Sequence, residues 1–218
     1  MSIKTFVWNA QGCGSCNFVR VTKQYICDNK PDVCVFVEPR LSQKRAGQVI
    51  ASLGFPNSYR VEALGFSGGI WLYCEYFLAT FVYASPTRSF RQELWHHLVN
   101  LSTSVNIPWV VLGDFNATLS LADRQRCTSA SLERSFQDMV SDCGLHDLCH
   151  SGPNFTWSYG NCNVHLDRCF GNAHWFERFP RSLLHHLLRM KSDHKPIFLS
   201  TDDQVPATRS HAFKYFAG

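Results

Sequence analysis

The sequence predicts an α/β fold with two mixed β-sheets packed face to face and helices outside. Three observations carry this. Apolar runs of strand length alternate with stretches of helical periodicity from Ile3 to Leu199. Several neighbouring strand candidates leave no room for a crossover helix, so the sheets must mix parallel and antiparallel pairs. Interior runs such as WVVLG, 109 to 113, are apolar on both faces, which requires cover on both sides. No Gly/Ser/Pro-rich linker, repeat or low-complexity tract interrupts the 218 residues, and 45% of them are hydrophobic. This predicts one domain over 1–200 and a tail without clear pattern over 201–218.

SIKTFVW, 2 to 8, alternates Ile3, Thr5 and Val7 against Lys4 and Phe6, a strand pattern that ends at Asn9. After the glycine-bearing loop QGCGSC, Phe18, Val21, Tyr25 and Ile26 recur at helical spacing, and Asn29-Lys30-Pro31 supplies the stop. DVCVFVE, 32 to 38, is short and β-branched and reads as an interior strand ending at Glu38. A helix is expected over 42–53, then a loop with Gly54, Pro56 and Asn57. IWLYCEYFLATFVYASP reads as two strand-like pieces running together, opened by Gly68 and Gly69 and ending at Tyr83. Leu94, Trp95, Leu98, Val99 and Leu101 form a helix face. Beyond WVVLG come a loop over 114–130 and a helix from about Leu132 that uses Phe136, Met139 and Val140. Short strands around FTWSY and VHLDRCF follow, and PIFLS closes the pattern.

The net charge of +4 is mild; it suits a polyanionic partner without demanding one. Arg124 and Arg126 in ADRQRC and Lys191 beside SDH are the most suggestive cations, although each alone reads as solvated surface charge. The N-terminus runs straight into a strand pattern without a charged-then-apolar leader, and no apolar run nears roughly 18 residues. An intracellular chain that is not secreted and has no transmembrane segment is therefore expected. In that setting the ten cysteines are expected to be reduced, as small apolar fillers. Cys13 and Cys16 in CGSC lack a second CxxC and a nearby paired His, so two free thiols are favoured over a zinc or redox site. His96-His97 and His185-His186 lie on amphipathic stretches where one member of each pair should face solvent; His146, His150, His165 and His174 show no metal-ligand spacing. Trp71, Trp109 and Trp157 read as core, although an exposed aromatic near a site could contact an unstacked base.

The chemistry collects at strand ends, where a rigid scaffold presents polar groups to solvent. Asp114 and Asn116 in GDFN could simply close an Asx turn, and His194 in SDHKP could be an ordinary loop histidine. They are accompanied, however, by WN at 8 to 9, Glu38 in VFVEPR, YASP at 83 to 86, FTW at 155 to 157, LDR at 166 to 168 and SDH at 192 to 194. Seven motifs in this order resemble the exonuclease–endonuclease–phosphatase superfamily. Within it, SGGIWL, RQELWHHL, PWVVLGDFN, GLHDL and NFTW followed by LDR look most like the endonuclease domain of plant LINE-type retrotransposons. The resemblance covers about residues 3–200.

The resemblance implies a four-layered α/β sandwich and a divalent-metal-dependent attack of water on a DNA phosphodiester, in an intracellular and nuclear setting. It implies Mg²⁺, with Mn²⁺ as a substitute, held by Asn9, Glu38 and Asp193, and neither a small-molecule cofactor nor a membrane partner. Mg²⁺ prefers hard oxygen ligands and keeps several waters, so these residue types suit it. By the same resemblance Asp114 orients or deprotonates the water and Asn116 holds position beside it. His194 faces the phosphoryl oxygens, fixed by Asp167, and Tyr83 donates to a phosphate oxygen.

Two departures stand out. Gln11 occupies a position where several family members carry an acid. Only 13 residues separate Gly69 from Tyr83, where the family places two or more strands. This short interval predicts missing strands and puts in doubt the scaffold that holds Tyr83 against Asp114. Three readings follow: a DNA-nicking endonuclease, a catalytically silent relic of one, or a phosphodiesterase or phosphatase acting on RNA or lipid headgroups.

Overall fold

The computed structural model describes residues 2–41, 43–54, 68–74, 77–127 and 133–203. In chain order they form β1 (Lys4–Asn9), α1 (Cys16–Asn29), β2 (Val33–Val37), α2 (Gln43–Leu53), β3 (Gly68–Cys74), β4 (Phe77–Tyr83), α3 (Arg88–Ser102) and β5 (Trp109–Asp114). A 3₁₀ turn over Leu121–Asp123 leads to β6 (Arg124–Gln125), α4 (Arg134–Asp142), β7 (His146–Asp147), β8 (His150–Ser151), β9 (Trp157–Tyr159) and β10 (Cys162–Val164). The chain closes with β11 (Asp167–Gly171), α5 (Ala173–Arg178), β12 (Leu183–His186) and β13 (Ile197–Ser200).

Two five-stranded mixed sheets form the frame, in the orders β2-β1-β13-β12-β8 and β3-β4-β5-β11-β7, with a small β6-β10-β9 sheet beside them. The period-2 pattern explains the layering. In β4, Phe77, Ala79 and Phe81 point between the sheets, where they meet Val7, Val35, Ile197 and Leu199 of the first sheet. Leu78 and Val82 point the other way, into a core with Trp95 and Leu98 of α3 and Phe136 and Met139 of α4. On the far side of the first sheet, Phe6 and Trp8 of β1 pack on Phe18, Val21 and Tyr25 of α1, with the Trp8 and Phe18 rings stacked at 5.4 Å. Helices, sheet, sheet and helices therefore make the expected four layers. Helix α1 starts at Ser15, whose side chain accepts from the Phe18 N–H, and ends at Lys30 in the left-handed region.

The interval between Gly69 and Tyr83 corrects one expectation. It holds a hairpin, with β3 and β4 antiparallel from Gly68↔Tyr83 to Cys74↔Phe77. Strand β4 in turn runs parallel to β5 with Tyr83 opposite Asp114. The scaffold between those two residues is intact because a hairpin needs no crossover, so few residues suffice. VHLDRCF is not one strand: the Thr156 hydroxyl accepts from both Leu166 N–H (3.0 Å) and Asp167 N–H (2.9 Å), so the chain turns between β10 and β11.

Cysteine usage also differs from expectation. Cys127 and Cys162 form a disulfide, because β6 and β10 are antiparallel neighbours with Asn163 opposite Gln125. Cys13 is buried and Cys16 exposed, both as free thiols. His96 and His97 are both exposed, whereas His185-His186 belongs to a strand. No helix among the described residues is long and apolar enough to cross a membrane. Of the expected tail, Thr201 bonds the Ile3 backbone and Asp202 pairs with Arg181 at 2.6 Å; residues 204–218 lie outside the described residues, as do Ser42, Pro56, Asn57 and Leu132.

Candidate active site

The site is assembled from the ends of both sheets. Asn9 ends β1, Glu38 follows β2, Tyr83 ends β4, Asp114 ends β5, Asp167 opens β11, and Asp193 and His194 lie on the link from β12 to β13. Gly113 lets β5 approach β4 here. It sits at φ +140°, and a Cβ would lie 2.1 Å from the Val82 carbonyl oxygen.

Asp114 is 1% exposed. Its Oδ1 accepts from the Asn116 N–H at 2.9 Å, the Asx turn that the local sequence allows. Its Oδ2 also accepts from the amides of Asn9 and Asn116, each at 3.0 Å. The turn is thus real, and it points the carboxylate at a partner on the other sheet. His194, 3% exposed, holds its Nδ1 2.9 Å from Asp167 Oδ2. Its Nε2 faces Asp114 Oδ2 at 3.8 Å and Asp193 Oδ1 at 4.0 Å.

These neighbours set the charges. Burial alone would push the His194 imidazole down, but Asp167, then Asp114 and Asp193, lift it to about 9, so it carries a proton at neutral pH. Asp114 is pushed well above the ordinary carboxylate range, first by burial and then by Asp167, with His194 opposing. Tyr83 is raised by burial and by Glu38, to whose Oε1 its hydroxyl donates, so it remains a phenol.

Asn9, Glu38, Asp114, Asp193 and His194 line one cleft of about 360 Å³, together with Asn116. Glu38 and Asn116 both adopt left-handed backbone, at φ +50° and +47°. Non-glycine residues are strained there, and such strain persists where the surroundings over-determine it. Tyr83 reaches the cleft through Glu38, and Asp167 through His194.

The oxygen donors fit a hard divalent cation. Glu38 and Asp193 keep about a fifth of their side-chain surface open (18% and 21%), and the Asn9 amide lies between the two sheets' ends. Asp114, Asp167 and His194 also bring ligand-type atoms within 4.8 Å of one another. They are almost wholly buried, however, with Asp114 and His194 in the cleft wall and Asp167 hydrogen-bonded to His194 behind it, which suits holding and moving a proton. The described residues thus bring hard oxygen donors, an imidazole lifted by its carboxylate neighbours and a carboxylate pushed up by burial into one cleft.

Three contributors escape sequence reasoning. The Ser192 hydroxyl donates to the Asn9 carbonyl (2.7 Å) and accepts from the His194 N–H (3.1 Å), tying the histidine's loop to β1. The Trp157 indole N–H donates to Asp193 Oδ2 at 2.8 Å, so Trp157 lines the cleft and is not core. Arg40 pairs with Glu38 at 2.8 Å. Serine in SDH and tryptophan in FTW lie inside the quoted motifs, but their partners appear only in the fold, where Trp157 bridges His194 and the Ser192 hydroxyl meets the end of β1.

The model of the Endonuclease/Exonuclease/phosphatase family matches residues 6–194. Among solved structures, the AP endonuclease LMAP from Leishmania major is 13% identical with a TM-score of 0.68, over 93% of this chain and 88% of its own. A mutant of beta toxin from Staphylococcus aureus with bound magnesium ions is 14% identical with a TM-score of 0.67, over 91% of this chain and 99% of its own. A humanized TDP2 from D. rerio is 16% identical with a TM-score of 0.54, over 91% and 98%. No curated protein matches. At such identities the structures establish a shared fold, and the family model, spanning most of the chain and every residue of the site, establishes that this protein belongs to the endonuclease/exonuclease/phosphatase family.

Proposed function

We propose that the protein is a divalent-metal-dependent endonuclease that nicks DNA by hydrolysing a phosphodiester bond. The observation that carries the reading is the Asp167–His194–Asp114 arrangement at the edge of a cleft lined by Glu38, Asn9 and Asp193.

Glu38, Asn9 and Asp193 would hold Mg²⁺, or Mn²⁺ in its place, which would supply positive charge to offset that of the phosphate. Asp114, with its raised basicity, takes the proton from the attacking water, and Asn116 and Asn9 fix the carboxylate through their amides. His194, protonated and pinned at Nδ1 by Asp167, directs Nε2–H at a phosphoryl oxygen. Tyr83 stays protonated and places its hydroxyl at Glu38, from which it can turn to a phosphate oxygen. The P–O bond to the leaving oxygen breaks as the water oxygen bonds to phosphorus; the leaving oxygen takes a proton from solvent, and the proton held by Asp114 returns to solvent.

DNA is favoured as substrate by the cleft's rim. Trp157 stacks on Tyr159 with centroids 6.4 Å apart, and Tyr159 is 76% exposed, a platform for an unstacked base. Arg124 lines the same cleft and Arg189 anchors to Ser158 beside the platform, where cations can meet phosphates. The Leishmania relative, named as an AP endonuclease, has the same fold. The plant LINE-like segments SGGIWL, RQELWHHL and NFTW support descent from a retroelement and a nuclear site of action.

A plasmid-nicking assay tests the reading, with Mg²⁺, with EDTA, and with Asp114→Asn and Glu38→Gln, on protein whose fold is verified by circular dichroism. Nicking should require metal and fall about 10²–10⁴-fold in Asp114→Asn. A folded wild-type protein that never nicks would leave a silent relic as the correct description.

A further inference from the structure

The fold gathers three histidines that sequence spacing leaves unconnected. His150 lies in β8, His165 between β10 and β11, and His186 at the end of β12. The first sheet aligns β8 parallel to β12, and Gly152, whose Cβ would lie 2.4 Å from the His186 carbonyl oxygen, lets the following loop close over His186. The rings of His150 and His186 stack at 4.3 Å, and His165 stands at 5.1 and 5.0 Å from them. One ring nitrogen from each lies within 4.8 Å of the other two.

Two of these nitrogens have no hydrogen-bond partner. His165 and His186 are 6% and 4% exposed, and the Nε2 atoms of both are buried and unsatisfied. The His186 Nδ1–H donates to the Pro153 carbonyl at 2.7 Å, which fixes the tautomer and leaves Nε2 as a bare lone pair. A backbone carbonyl on one ring nitrogen with the other nitrogen free is the usual orientation of a metal-ligating histidine. The Asp123 carboxylate lies 3.9 Å from His165 Nδ1, on the side away from its orphaned nitrogen. Both imidazoles are kept neutral mainly by burial, with His165 pushed down to about 2 and His186 to about 4. Arg168 would oppose a cation here, but Asp123 (2.6 Å) and Asp147 pair with it.

We propose that His150, His165 and His186 bind a borderline divalent cation of the zinc type through three imidazole nitrogens, with a fourth position open to solvent beside exposed His150. Imidazole donors suit zinc and disfavour magnesium, so this site is chemically separate from the oxygen-lined cleft. The ion would tie β8 and β12 of the first sheet to the link that carries Leu166 and Asp167. It would thereby brace the partner of His194 from outside the cleft.

The test uses the whole chain, stripped of metal and titrated calorimetrically with Zn²⁺ in excess Mg²⁺, as wild type, Glu38→Gln and His150→Gln. Wild type and Glu38→Gln should each take one zinc per chain, and His150→Gln should bind about 10-fold more weakly or worse. X-ray absorption on zinc-loaded wild type should show three imidazole nitrogens at about 2.0–2.1 Å, a result that stands even if His150→Gln fails to fold. Absence of stoichiometric binding, binding indifferent to His150→Gln, or an oxygen-only shell would overturn the proposal.

Discussion

His194 and His186 are both buried imidazoles with one ring nitrogen bonded to an oxygen, yet one is held protonated and the other neutral. His194 is lifted to about 9 by Asp167, Asp114 and Asp193. His186 is lowered to about 4, because burial dominates and His150 and Arg168 add to it. A full carboxylate against Nδ1 offsets the desolvation of an imidazolium; a neutral carbonyl does not. The cleft therefore stores a proton next to a base, and the histidine cluster stores lone pairs. The first suits proton transfer and the second suits a borderline cation that takes nitrogen donors, although both lie around the same short link, residues 164 to 167.

The largest expected effect comes from removing the carboxylate that makes the two histidines different. In Asp167→Asn, burial would act on His194 with less opposition, so its value should fall from about 9 toward the His186 case. NMR titration of the ring protons in metal-free protein measures this. The wild-type ion pair contributes stability that is complete below the unfolded value of about 6.5 and lost as pH rises through about 9. That alkaline loss should vanish in the variant, and nicking should drop about 10²–10⁴-fold. A His194 that still titrates near 9 would show that Asp114 and Asp193 suffice.

Much of this contrast was legible in the sequence for the cleft and none of it for the cluster. Asn9, Glu38 and Asp114 each end or follow a strand-like run, so their positions can be read from where apolar periodicity stops, and His194 lies just before the closing run PIFLS. The Asp114 Asx turn is local and is one of the two readings that GDFN allows; its bond to Asn9 depends on the packing of one sheet on another. The histidine cluster depends on β8 lying parallel to β12 and on the break between β10 and β11. No local spacing encodes either, and the same is true of the Cys127–Cys162 disulfide. The shortness of the Gly69–Tyr83 interval is plain in the sequence, but not that β3 returns directly as β4 and keeps Tyr83 opposite Asp114.

A smaller effect sharpens the comparison from the side of the cluster. His186 is depressed in the folded state, so at acid pH the unfolded chain takes up a proton that the folded chain refuses. Stability is complete above about 6.5 and lost as pH falls toward 4. At pH 5 the loss from this residue should be about 2 kcal/mol in metal-free protein. Denaturant titrations at pH 7 and pH 5 measure it, and His186→Gln, which has nothing to protonate, should lose correspondingly less between the two. Equal losses would mean that His186 is not held neutral.

The smallest effect concerns the acid side again, at Asp193. Trp157→Phe removes the indole N–H that donates to Asp193 but keeps a ring to stack on Tyr159. One partly exposed hydrogen bond to a charged group is worth about 1.5–3 kcal/mol at most, and less where water can replace it. Activity should therefore fall only a few-fold, through kcat, as Asp193 loses its fixed direction. Trp157→Ala removes the ring as well and should raise KM for DNA, since base–aromatic stacking is worth about 1–3 kcal/mol per base. A kcat loss shared by both variants with a KM rise confined to Trp157→Ala would separate the tryptophan's two roles. Identical kinetics in the two variants would remove base stacking from the account and leave Trp157 as a positioning residue for Asp193 alone.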